Sequence, residues 1–159
     1  MDAFASRILV LGCGNVHAGD DAAGPRVLEL LAADPGLPPD VALLDAGTGI
    51  QDLLLDLAVA DRRPARLVVV DATVAAGRAP GECWEVDLAG ARPAAATDLH
   101  AFPALSELGV LRSALGVDVR VVAVQAGHIP AAPAEGLSPA VAAALPAAAA
   151  LVLSLCREP

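Results

Sequence analysis

The sequence predicts one three-layer α/β domain: a mainly parallel sheet with helices on both faces, spanning residues 1–159. Three observations carry that prediction. Short apolar runs alternate with stretches whose apolar residues recur at helical spacing, in the order strand, helix, strand, helix, strand, edge strand, helix, strand, helix. The run Leu67-Val-Val-Val-Asp71 has four consecutive apolar residues, three of them β-branched, as suits a strand covered on both faces. Finally, 159 residues at 56% hydrophobic are one domain's worth of chain with material for a sizeable core.

Each element has its own local reason. Residues 7–12 form an apolar run ending at Gly12 and read as the first buried strand. The period then changes: Asp20 and Asp21 offer caps, Pro25 fits an early helical turn, and Val27, Leu28, Leu30 and Leu31 make an apolar stripe. The prolines of 35–39 end that helix. A second strand follows over 41–45, and residues 50–60 place Leu53, Leu54 and Leu57 on one helical face. The third strand is 67–71. Pro80-Gly81 marks a turn into an edge strand over 82–86, residues 93–97 read as a loop, 103–115 as a helix and 119–124 as another buried strand. The last helix, 138–156, opens on Ser138-Pro139, a cap and first-turn pair, and is expected to kink near Pro146. Residues 136–156 carry no charge and are long enough to cross a bilayer, but their alanine content and internal proline favour a buried terminal helix.

Composition removes several function classes. Aromatics are 2% of the chain, Phe4, Trp84 and Phe102, so base stacking has little to work with. The formal charge of −9 would repel a polyanion or an anionic membrane, so neither nucleic acid nor membrane is an expected partner. Three cysteines without a C-x-x-C pair suit neither a disulfide framework nor a structural zinc site. A reducing cytoplasm is expected, as the first residues lack the basic and apolar regions of a secretory signal.

In open α/β sheets, ligands bind outside the carboxyl ends of the strands. Asp21, Asp45, Asp71, His100 and Gln125 all fall near that rim. Carboxylate and imidazole suit nickel, zinc or iron, so Asp21, Asp71 and His100 are a candidate metal-ligating set, though their spacing selects no metal. Each also has a plainer role: Asp20 or Asp21 as a helix cap, Asp71 as a turn cap, His100 as a loop residue. His17 and His128 read as exposed loop residues, and Cys13 as a small buried thiol rather than a nucleophile, since no base visibly pairs with it. Gly12 and Gly14 begin a G-x-G-x-x-G pattern, but its third glycine would fall at His17 and no P-loop lysine is present. A nucleotide-binding or methyltransferase-like enzyme, with Asp45 on a ribose, is therefore the alternative, and a non-catalytic metal- or peptide-binding module is a third class.

Five motifs, in order, resemble those of the hydrogenase maturation endopeptidases, which trim the C-terminal extension of the large subunit of nickel-iron hydrogenases. Ile8-Leu-Val-Leu-Gly-Cys-Gly-Asn15, with Gly19-Asp-Asp21 and Gly24-Pro-Arg-Val27, is similar to the N-terminal signature of that family. Asp45-Ala-Gly-Thr48 resembles its D-G-G-T element, with Ala46 where a glycine is usual; Val70-Asp-Ala72, Ala79-Pro-Gly81 and Gly136-Leu-Ser-Pro139 match the remaining motifs. The resemblance implies that Asp21, Asp71 and His100 contact metal and carry catalysis. It implies further that the metal is nickel already inserted in the large-subunit precursor, with no permanently bound cofactor. The setting Leu99-His-Ala-Phe102 departs from the Ser-His or Pro-His often found in the family. No H-E-x-x-H or G-x-S-x-G motif points to a conventional hydrolase.

Overall fold

The computed structural model describes residues 3–88 and 105–159. Its element order is β1 (Ile8–Cys13), α1 (Ala23–Ala33), β2 (Val41–Gly47), α2 (Ile50–Val59), β3 (Arg66–Thr73), β4 (Cys83–Glu85), α3 (Leu105–Leu115), β5 (Asp118–Gln125) and α4 (Pro139–Arg157). The predicted succession is observed. The strands form one sheet in the order β2-β1-β3-β5-β4; four are parallel, and the short edge strand β4 runs antiparallel to β5.

The period-two alternation of the strands divides the core into two layers. Ile8 and Val10 of β1, Val68 and Val70 of β3, and Val122 and Val124 of β5 pack against α1 and α4. The intervening residues, Leu9 and Leu11, Leu67 and Val69, Val119 and Val121, pack against α2 and α3. Burial on both faces is why β1 and the first five residues of β3 are apolar throughout or, at Arg66, paired. The buried Arg66 guanidinium bonds Asp118 Oδ2 at 2.6 Å and the Leu155 carbonyl at 2.5 Å, tying β3 to β5 and to the end of α4.

The structure corrects several local expectations. The first helix begins at Ala23 rather than at the acidic pair, because Gly19–Ala22 forms a 3₁₀ turn and no side chain caps α1. Strands β1 and β2 run past their predicted ends to Cys13 and Gly47, with a register shift between Gly12 and Cys13. At the start of α4, Ser138 occupies the cap position but makes no side-chain cap bond to that helix. The helix expected over 138–156 is observed as Pro139–Arg157 with Pro146 inside it; the carbonyl its ring leaves without a donor is that of exposed Ala142, where water can replace the lost bond. Although α4 is long and apolar enough to cross a membrane, Val141, Ala144, Ala148, Val152 and Leu155 are buried against α1 and the sheet. The predicted helix over 103–115 is described from Leu105 onward; the predicted loop over 93–97 lies outside the described residues.

Candidate active site

Neighbouring strands β1 and β3 send their following chain to different parts of the molecule, and their carboxyl ends are therefore where an open α/β sheet of this order holds its ligands. Asp71 lies at that end of β3, one residue beyond the Gly12–Val70 pair and therefore level with Cys13. It is partly buried, and its carboxyl is pushed up to about 7, first by burial and then by the negative charge of Asp21; a hydrogen bond from the Ala72 amide offsets part of the rise. Two carboxylates thus stand close enough to repel each other at the carboxyl end of the sheet.

Asp21 is carried by the 3₁₀ turn after β1. Its Oδ2 accepts the Asn15 amide at 2.7 Å, and the Asn15 side-chain oxygen accepts the His17 amide at 2.9 Å. The glycines around it serve this geometry. Gly14 has φ 122°, and a Cβ there would stand 1.8 Å from the Asp21 carbonyl oxygen; at Gly24 a Cβ would stand 2.2 Å from the Cys13 carbonyl oxygen and 2.6 Å from that of Val70. The missing side chains admit the protein's own backbone, so the first motif is a packing motif, and the partial G-x-G pattern needs no nucleotide to explain it.

Asp20, the other half of the acidic pair, is fully buried and turned away from Asp71. Its carboxylate accepts the amides of Gly127 and His128, each at 2.8 Å, the Ser138 amide at 2.6 Å and the Ser138 hydroxyl at 2.8 Å. Burial alone would raise its pKa, but the bonds from Ser138, His128 and Gly127 outweigh that and hold it below the ordinary carboxylate range.

Cys13 is buried, and its thiol is pushed far up by burial and then by the charges of Asp71, Asp45 and Asp21. That disfavours the thiolate a nucleophile needs and places the three aspartates in one neighbourhood. Asp45 is exposed and accepts the Gly47 amide at 2.8 Å; Gly47 (φ 51°), not Ala46, takes the left-handed conformation, so alanine costs the turn nothing. A cleft of about 270 Å³ lies between this turn and the β1 loop, lined by Gly14, Asn15, Val16, Asp45, Gly47 and Thr48.

His17 and His128 are exposed, as expected; His17 lies 3.3 Å from Glu135. Gln125 faces inward, its amide pairing with the Ala75 backbone at 3.0 and 3.3 Å, so it fastens the loop after β3 rather than serving the rim. His100 lies outside the described residues, and among the described residues no three potential ligands form a metal cluster. Sequence reasoning missed two side chains. Ser138 is bonded to Asp20 although its motif reads as a simple helix start, and Thr73, two residues past Asp71, buries a hydroxyl without a partner among the described residues.

The family model described as hydrogenase maturation protease matches residues 25–155. Coenzyme F420 hydrogenase subunit delta of Methanothermobacter thermautotrophicus is 30% identical over 154 residues, 94% of each chain. Hydrogenase 2 maturation protease of Escherichia coli is 44% identical over 75 residues, a match covering 47% of this chain and 43% of that protein's length. Among solved structures, the hydrogenase maturating endopeptidase HybD from E. coli superposes with a TM-score of 0.73 at 34% identity, covering 96% of this chain and 93% of that one. The [NiFe] hydrogenase maturation protease HycI from Thermococcus kodakarensis gives 0.74 at 25% identity, covering 96% and 94%.

Proposed function

The chain belongs to the hydrogenase maturation protease family, and from that premise we propose that it cleaves the C-terminal extension from a nickel-iron hydrogenase large-subunit precursor, using the precursor's own nickel as the recognition handle. The observation that carries this reading is the Asp21 and Asp71 pair. Burial first, and then the negative charge of Asp21, lift the Asp71 carboxyl to about 7, and an arriving divalent cation relieves the repulsion between the two carboxylates. Asp21 and Asp71, with His100 from outside the described residues, would complete the coordination of nickel already held by the precursor. Carboxylate and imidazole ligands suit that metal.

In this reading the metal brings the scissile peptide bond beside the rim and polarises its carbonyl or an attacking water. Asp21 keeps one oxygen committed to the Asn15 amide, which fixes the carboxylate before substrate arrives. Cys13 has no role in this reading, because burial and the neighbouring carboxylates disfavour its thiolate. The free cysteines fit a reducing cytoplasm, where a precursor would meet the protease. The test is direct: Asp21→Asn, Asp71→Asn and His100→Ala, each confirmed as folded, are incubated with nickel-loaded precursor and the product is weighed by mass spectrometry. All three are expected to leave the precursor at full mass. Complete trimming by any one removes that residue from the site.

A further inference from the structure

The acidic pair is split between two jobs. Asp21 lies within electrostatic reach of Asp71, whereas Asp20 is fully buried and, among the described residues, draws its side-chain hydrogen bonds from partners more than 100 positions away, in the segment joining β5 to α4. The backbone repeats the connection. The Asp20 amide bonds the His128 carbonyl at 3.0 Å, the Gly19 amide bonds the Ala134 carbonyl at 2.9 Å, and the Ala134 amide bonds the His17 carbonyl at 2.8 Å. The approach is close enough that a Cβ on Gly19 (φ 58°) would stand 2.8 Å from Pro130 Cδ. The turn carrying Asp21 is thus fastened through Gly19 and Asp20 to the opposite loop and to Ser138, the residue before α4.

A buried carboxylate is a costly way to fasten two loops unless its geometry matters, because desolvation must be offset by bonds held at good distance. Here all four are, between 2.6 and 2.8 Å. We propose that Asp20, with Ser138 as its partner in the Gly136-Leu-Ser-Pro139 motif, is a positioning residue for the cleavage reaction: it locks the turn so that Asp21 meets the metal in one orientation relative to Asp71. The inference rests on the reading of Asp21 and Asp71 as metal-contacting groups. It accounts for two sequence motifs, 118 residues apart at their contact, as two halves of one clasp. Catalytic groups need support of this kind, since small displacements of a ligand or base cost far more in turnover than in binding.

The experiment compares steady-state cleavage of nickel-loaded precursor by Ser138→Ala, Ser138→Thr, Asp20→Asn, Asp21→Asn and Val152→Ala, with thermal melting of each. Val152 is buried in α4, 14 residues or roughly 21 Å along the helix axis from Ser138, and serves as a variant weakened away from the rim. Ser138→Ala is expected to lower kcat at least fivefold with KM changed less than twofold, and Asp20→Asn to lower kcat further. Ser138→Thr, which restores the hydroxyl, should return kcat to within twofold of wild type. Val152→Ala should melt earlier yet keep its kcat. If Asp21→Asn is inactive while Ser138→Ala, melting no higher than Val152→Ala, turns over like wild type, the clasp is only structural and the proposal fails. If Asp21→Asn itself cleaves normally, the metal-contacting reading fails and takes the clasp with it. Should Asp20→Asn not fold, the serine pair decides alone.

Discussion

Replacing Asp71 by asparagine should make the protein more stable at pH 8 while destroying its activity. In the fold the carboxyl titrates near 7, against an ordinary value of 3.8. A raised carboxyl favours the protonated form in the native state, so the native protein binds more protons than the unfolded chain between those two values. Stability therefore carries no penalty from Asp71 below about pH 4, loses ground as pH rises toward 7, and stays at its lowered level above. The full difference corresponds to at most about 4 kcal/mol, and partial solvent access at the rim reduces it, so a gain of about 1–4 kcal/mol is expected for Asp71→Asn at pH 8. Urea unfolding of both proteins, with chelator present, at steps from pH 4 to pH 8 provides the assay. The two curves should converge at pH 4 and separate on going up, with the variant the more stable. Parallel curves, or a variant weaker than wild type at pH 8, would refute the claim that Asp71 is held in an unfavourable place for the sake of function.

Other substitutions probe the packing around the site. Gly24→Ala forces a methyl group toward two backbone carbonyls and should cost on the order of 3 kcal/mol or more, read as lost soluble yield or a collapsed thermal transition. Cys13→Ser should still trim precursor while losing about 1–3 kcal/mol, because a hydroxyl replaces a thiol in a buried position. Abolished turnover in that variant, once shown to be folded, would instead favour a cysteine protease. Thr73→Val removes a buried hydroxyl that has no partner among the described residues, and should leave thermal stability unchanged or raise it by up to about 1 kcal/mol. A clear loss would mean that the hydroxyl is bonded in solution.

The layered fold was legible because its strands are hydrophobic on both faces and its helices carry stripes at the helical period; Leu67 to Val70 alone implies a sheet covered on both sides. What the chain could not disclose was which way a polar residue turns. Asp20 and Asp21 are adjacent and chemically identical, yet one is buried against the start of α4 and the other lies beside Asp71, a division set by a 3₁₀ turn that local propensity does not specify. Ser138 reads as a helix cap from its neighbours alone, and only the partner across 118 residues gives it another role. Gln125 reads as a rim residue because it follows the strand expected over 119–124, whereas it is the last residue of β5 and its side chain turns to fasten the loop at Ala75. His100 lies outside the described residues, and its assignment rests on its place in the rim constellation and on the resemblance, which His100→Ala tests.

The central claim is that the metal to be recognised arrives with the substrate. The protease, stripped by chelator, is offered nickel-loaded and nickel-free large-subunit precursor in parallel, and the masses of the products are compared. The account predicts trimming of the loaded precursor alone, at a rate unaffected by nickel added to the protease beforehand. Equal cleavage of both precursors, or cleavage restored only when zinc is supplied to the protease, would contradict it.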